Sequence, residues 1–135
     1  MKKTKIKHKS TKVLRKRAWN LISEYLRRSA ANEHGIVLCY TCGKSHYWTD
    51  MDLGHYIHKD CLDFTEINLH PQCSYCNRRM HGNSALYAER LINEYGLDVI
   101  LELRAKSEII KKFTVGELED LIRLYTERLK TLEGK

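Results

Sequence analysis

The chain has 135 residues, 42% hydrophobic and 30% charged, with a formal net charge of +7. That length suits one domain with one modest core, and the composition excludes a disordered or fibrous chain. No apolar run approaches the ~20 residues that a membrane-spanning helix needs, and the polar, basic start carries no secretory signal, so the expected location is the cytoplasm, with no membrane partner.

The positive charge is not spread evenly. Residues 1–17 hold nine Lys or Arg and no acid, which leaves fifteen bases against seventeen acids in the remaining 118 residues. Residues 1–11 therefore read as a flexible basic arm. Such arms bind phosphate by releasing condensed counterions, without reading sequence. The bland alternative is a solvated tail. The second region, 12–35, reads as a helix over 12–34 closed by Gly35, because Val13, Leu14, Ala18, Leu21, Ile22, Tyr25, Leu26 and Ser29 recur at helical spacing. Arg15, Arg17, Arg27 and Arg28 lie on or near it and are candidate DNA contacts.

The third region, 36–83, holds all five cysteines, five of the seven histidines and the only proline. Short β-rich pieces alternate with turn residues. Strands are expected at Ile36–Tyr40 and Leu53–Ile57, a loop at 58–66, a short returning strand at Ile67–Leu69 and a helix starting near Cys73. The last region, 84–135, is helical. Asn83 or Ser84 caps a helix to about Glu94, Gly96 breaks it, and Asp98 lies near the start of the next. Thr114 with Glu117 forms a capping box for a final helix over 115–132. Its stripe of Leu118, Leu121, Ile122, Tyr125, Leu129 and Leu132 fits a core face better than a dimer seam, with a homodimer contact as the alternative.

Four cysteines form two C-x-x-C pairs, Cys39/Cys42 and Cys73/Cys76, with thirty residues between Cys42 and Cys73. In a cytosolic chain this spacing argues for metal rather than disulfides. Four unrelated core cysteines, or a redox dithiol, would leave the doubled pattern unexplained. Four thiolates close the coordination of Zn2+, so this ion should hold the fold and do no chemistry. Gly43 suits a tight knuckle after the first pair. Knuckle, hairpin and then helix is the treble-clef arrangement.

A structural zinc does not account for the polar residues inside this frame. His55 lies on the first hairpin strand. Asn77 directly follows Cys76, and His81, four residues on, would share its helical face. Phosphodiester hydrolysis needs a base for water and a divalent metal to offset charge on the phosphate and leaving oxygen. His55 suits the base, while Asn77 and His81 suit the metal. Each position alone is more often structural or surface; the shared spacing carries the functional reading.

The order His55, Asn68, Cys73-x-x-Cys76, Asn77 resembles the HNH nucleases of the treble-clef, ββα-metal type. In that family the first His is the general base, the middle Asn braces the hairpin loop five residues before the second zinc pair, and the residue after that pair binds metal. Asn77 at the third position resembles the phage endonuclease VII branch, and a further helix ligand at His81 resembles the nuclease colicins. A closer resemblance is to the phage recombination protein family called NinG or Rap, through C-Y-T-C-G (39–43), M-D-L-G-H-Y (51–56), N-L-H-P-Q-C-S-Y-C-N-R (68–78), G-N (82–83) and Y-A-E-R-L-I-N-E-Y-G (87–96). It covers roughly residues 13–104. It implies an α+β fold, a zinc-bound HNH core flanked by helices. It further implies a recombination-linked endonuclease using Mg2+ or Mn2+ on branched DNA such as Holliday junctions, in a bacterial host cell if phage-encoded.

One departure matters. Many HNH enzymes carry Asp directly before the catalytic His, where this chain has Gly54. Asp52 is the substitute metal ligand, but on a regular strand it points away from His55, so a bulge at Gly54 is required. Arg78 and Arg79 flank the expected metal helix and suit a phosphate clamp. His70 is an accessory candidate, for phosphate or for orienting His55; His58 and Cys61 read as loop residues. The competing function classes are a zinc-stapled DNA-binding protein without catalysis, and an adaptor that docks through its last helix.

Overall fold

A computed structural model describes residues 10–133. Residues 1–9 of the expected arm lie outside the described residues, and its last two belong to the first helix and its cap. Ser10 caps α1 (Thr11–Ser29) by accepting from the Val13 amide at 3.3 Å. The helix ends at Ser29, short of the expected 34. Asn32 Oδ1 accepts from the His34 and Ile36 amides, offering the backbone a turn in place of another helical bond. Gly35, at φ +77°, completes that turn.

Two hairpins follow. β1 (Ile36–Leu38) pairs antiparallel with β2 (Ser45–Tyr47), a strand with no alternation to announce it. β3 (Met51–His55) pairs antiparallel with β4 (Leu69–Cys73), and Asp52 faces Gln72, Gly54 faces His70 and His55 faces Leu69 across the ladder. β3 stops at His55, two residues before the expected end, because the Asn68 side chain takes both the Ile57 N–H and C=O. Ile67, expected in the returning strand, sits in the 3₁₀ turn Glu66–Asn68. The helix expected from Cys73 is a single π turn, Tyr75–Arg79. His81, Gly82 and Asn83 then all take positive φ, which ends it.

Three helices complete the chain: α2 (Ser84–Tyr95), α3 (Asp98–Ser107) and α4 (Val115–Glu133). The Thr114–Glu117 capping box forms in both directions, with bonds of 3.1 and 3.2 Å. α4 lies against α1, and Leu118 and Ile122 pack with Leu14 and Ala18. Tyr125 and Ile22 then meet Leu53 and Leu69 of the second hairpin. The stripe on α4 thus serves as a core face within the chain. On the opposite face of that hairpin His70 and Gln72 meet the knuckle and α2: His70 stacks on Tyr40, and Gln72 donates to Thr41 Oγ1 and Gly82 O. The architecture is a small mixed α+β domain. No described helix is long and apolar enough to cross a membrane.

The register of β3 and β4 contains no bulge. A Cβ on Gly54 would lie 1.8 Å from Oε1 of Gln72. Gln72 is fully buried and held by its amide nitrogen, so it cannot step aside cheaply. Gly54→Ala is expected to cost about 1–3 kcal/mol through overpacking. A thermal melt of the variant beside the parent checks this.

Candidate functional site

The first cysteine pair sits on the knuckle between β1 and β2. Gly43, at φ +77°, lets the chain turn so that its amide donates to Cys39 O at 2.9 Å. The Tyr40 amide donates to Pro71 O at 2.9 Å, which docks the knuckle on β4. The second pair begins at the end of β4, and the Cys76 amide points at Cys73 Sγ, 3.4 Å away. All four sulfurs lie within 4.8 Å of one another, and Cys42 and Cys73 are 3.8 Å apart. A tetrahedron with metal–sulfur bonds of ~2.3 Å has edges of about 3.8 Å. The cluster could therefore hold a metal ion, and an all-sulfur donor set is consistent with zinc. Burial pushes the Cys73 thiol up to about 12. Burial acts on Cys39 in the same sense but is outweighed by hydrogen bonds from the Cys42 amide and the Thr41 hydroxyl, which bring it to about 6. Four thiolates need a cation to share this space. Cys61 is not part of the cluster; its Sγ rests 3.4 Å from Lys106 O.

The hairpin beyond the cluster is braced by Asn68. It is fully buried, and its amide takes the Ile57 N–H at 2.9 Å and gives to the Ile57 C=O at 3.0 Å. Tyr87 reaches the same turn, its hydroxyl donating to Gly54 O at 2.9 Å and lying 3.0 Å from His70 Nδ1. Burial lowers His70 to about 4, so it is neutral at ordinary pH. It stacks on Tyr40 with ring centroids 3.8 Å apart. These contacts make His70 a packing residue behind the hairpin, not one that orients His55.

With a regular register, Asp52 and His55 project from opposite faces of β3, three residues or ~10 Å apart along the strand. Asp52 meets Asn77, whose Nδ2 donates at 3.1 Å, and Arg78, which forms two bonds of 3.0 and 3.2 Å to the carboxylate. The expectation that His55 faces Asn77 and His81 across one small site is corrected: His55 turns toward α1. His81 does not share a helical face with Asn77 either, because the π turn has ended and His81 lies exposed at φ +50°.

His55 lies at the floor of an open cleft of about 330 Å³ lined by Lys12, Arg15, Lys16, Trp19, Asp63 and Phe64. Its ring stacks on Trp19, with centroids 4.7 Å apart and planes 6° from parallel. Nε2 lies 3.2 Å from Asp63 Oδ1, at an oblique angle, and is otherwise buried without a partner. The second Asp63 oxygen accepts from Arg15 at 2.5 Å. Burial would raise the Asp63 carboxyl, but the close approach of His55 and the hydrogen bond from Arg15 outweigh it and hold it below its ordinary value. His58 is exposed, its ring 5.4 Å from that of His55.

The expected DNA-binding arginines divide into two groups. Arg15 holds Asp63, Arg27 donates to Trp48 O and to Ser23, Arg28 pairs with Glu133, and Arg78 pairs with Asp52. These four brace the fold. Arg17 and Arg79 are exposed and have no hydrogen-bond or ionic partner among the described residues. Sequence reasoning missed Asp63, Trp19, Lys12 and Lys16. Asp63 falls in what reads as a plain loop, and no local pattern links it to a residue on α1.

A family model described as the bacteriophage lambda NinG protein matches residues 1–135. Among curated proteins, the ninG protein of Escherichia phage 933W is 33% identical over 101 residues, covering 71% of this chain and 48% of that protein. The ninG protein of Escherichia phage lambda is 31% identical with the same coverage, and that of Salmonella phage P22 is 31% identical over 99 residues, covering 70% and 47%. The chain spans about half the length of these relatives. No solved structure gives a significant match.

Proposed function

The chain belongs to the NinG family, and from that premise we propose that it is a metal-dependent DNA endonuclease of the HNH type, acting in recombination on branched DNA such as Holliday junctions. The observation that carries this reading is the placement of His55: at the end of a hairpin strand, stacked on Trp19, paired with a carboxylate and facing a cleft lined by Lys12, Arg15 and Lys16. A histidine so held suits a general base, and the cations suit a phosphate. In this mechanism neutral His55 accepts a proton from water, and the water oxygen attacks phosphorus in line. Lys12 and Lys16 hold the phosphate in place. Arg17 and Arg79 contact the backbone further out.

The zinc frame belongs to the same proposal: Zn2+ on the four cysteines, in a treble-clef setting, contributes folding energy and has no open position for substrate. The proposed site for Mg2+ or Mn2+ rests on Asp52 and Asn77, completed by water and substrate oxygens, which is how magnesium is commonly held. An ion held there would lie with the face of β3 opposite His55, so it would offset charge on DNA phosphates along that face and not at the phosphate beside His55. His81 has left the face Asn77 occupies and stays in the proposal as an outer ligand only. Arg78 has to release Asp52 for the carboxylate to serve, and its exposed side chain is free to swing.

The test is cleavage of a labelled four-way junction beside a linear duplex of the same sequence, with Mg2+, Mn2+ or EDTA. The proposal expects metal-dependent cutting with a preference for the junction. Binding without cutting under every metal would support a zinc-stapled DNA-binding protein instead. One observation favours that second reading: the bulge-free strand with Gly54 before His55 keeps the Asp52 carboxylate away from the base. Paired cuts across a junction would require two copies, meeting elsewhere than through the buried α4 stripe.

Residues 1–9 carry five lysines. Deleting them while keeping the Ser10 cap is expected to weaken DNA binding and to flatten its salt dependence by about 0.9 in log–log slope for each phosphate the segment neutralises. A titration at several salt concentrations reads this directly, and an unchanged slope would make the segment a bystander.

A further inference from the structure

We propose that Asp63 is a positioning residue for the reaction: it fixes the proton of His55 on Nε2 and so leaves Nδ1 as the atom that takes a proton from water. This rests on the assignment of His55 as the base. Nε2 has Asp63 Oδ1 at 3.2 Å and is otherwise buried without a partner, so Asp63 is the available acceptor for an N–H there. Leaving that N–H unpaired in a buried position would be costly. Catalytic hydrogen bonds are often long and oblique before substrate arrives. Nδ1 has no hydrogen-bond partner among the described residues and belongs to a ring on the wall of the cationic cleft. Neutral imidazole has one donor and one acceptor nitrogen, so fixing the first defines the second.

The carboxylate is itself held. Arg15 binds Oδ2 at 2.5 Å and also donates to Asp60 O at 3.0 Å, which ties α1 to the 3₁₀ turn Asp60–Leu62 beside Asp63. Trp19 holds the imidazole plane from the same helix. The ring is thus constrained in tilt by Trp19 and in rotation by Asp63. In the step itself, a water O–H bond breaks and its proton goes to Nδ1. The water oxygen bonds to phosphorus. The P–O3′ bond breaks, and the leaving oxygen departs with the electron pair and takes a proton from solvent. Asp63 stays ionised throughout and faces the imidazolium that forms.

Asp63→Asn keeps the shape and removes the charge. On the four-way junction it should lower kcat by at least about tenfold, with KM, junction affinity and cysteine-bound metal unchanged, and Asp63→Glu should recover part of the loss. In a His55→Ala background Asp63→Asn should have no further effect, because a positioning residue has nothing left to position. A kcat at the parental level in Asp63→Asn, with His55→Ala reduced to its residual rate, overturns the inference and leaves the base assignment standing. The same holds for a loss that adds in full to that of His55→Ala, since that marks a general structural role. Full activity of His55→Ala overturns the base assignment itself. If Asp63→Asn does not fold, Arg15→Gln loosens the same carboxylate from the other side and is expected to lower kcat, whatever it does to KM as one of the cleft cations; parental kcat in that variant overturns the inference.

Discussion

Cys76→Ser will strip the metal and melt the region between residues 36 and 83. Apart from the packing of Leu53 and Leu69 on α1 and α4 and of Tyr40 on α2, the local structure has little else to hold it. β1 and β2 are three residues long and β3 and β4 five, arranged as two separate two-stranded ribbons, and ribbons of that size are marginal in water. The cluster that joins them is Val37, Cys39, Met51, Cys73 and Cys76, so three of its five buried residues are prospective ligands. Structural zinc contributes ~10–16 kcal/mol in small domains, against a typical total stability of ~5–15 kcal/mol. A serine at one corner should therefore remove most of the stability of this region. The α1–α4 pair has its own core and should keep much of the helical signal. Metal analysis, near-ultraviolet circular dichroism and a thermal melt together read the outcome. Cys61→Ser is the control and should melt like the parent. Acid should mimic the mutation: burial raises the Cys73 thiol, so metal binding has to displace its proton and weakens as pH falls. Retained metal and an unchanged melt in Cys76→Ser would rule out the cysteine cluster as a structural metal centre.

What the sequence shows of this molecule depends on how local the information is. C-x-x-C fixes two sulfurs by short-range turn geometry, so the four-sulfur cluster is legible before any coordinates. The Thr114–Glu117 box and the apolar stripe of α4 are equally local. The end of α1 is not, because Asn32 competes for the backbone there and nothing in the periodicity of 12–34 reveals it. β2 is hidden for another reason: Ser45, His46 and Tyr47 become a strand by pairing with β1, not by any pattern of their own. The Asn77/His81 spacing is misleading. It reads as one helical face, yet His81, Gly82 and Asn83 break the helix after a single π turn. Asp63 is illegible because its partners include Arg15 on α1, 48 positions away, and a one-dimensional pattern cannot carry such a pairing.

His55→Ala is expected to reduce cutting to a small residual rate while leaving metal content and DNA binding near parental values. Removing a general base typically costs about 10²–10⁴ in rate, or ~2.7–5.4 kcal/mol of barrier. The variant is informative because the structure separates this side chain from everything else that matters. His55 projects toward α1, whereas the Asp52–Asn77–Arg78 group lies with the opposite face of β3, and Cys73 pairs with Met51 at the far end of the ladder from His55. Asp63 keeps Arg15 as a partner when the imidazole goes, so no buried carboxylate is stranded. Trp19 loses its stacking partner, which should cost about 0.5–1.5 kcal/mol and not unfold the domain. The cleft keeps Lys12 and Lys16, so junction affinity should survive. His58→Ala is the matched control: an exposed histidine, its ring 5.4 Å from that of His55, with no carboxylate behind it. If His58→Ala cuts normally and His55→Ala does not, the loss belongs to the held imidazole and not to a missing positive charge near the phosphate. If both cut normally, the base is not on this hairpin. The bulge-free strand would then fit a protein that grips branched DNA and leaves the cutting to a partner.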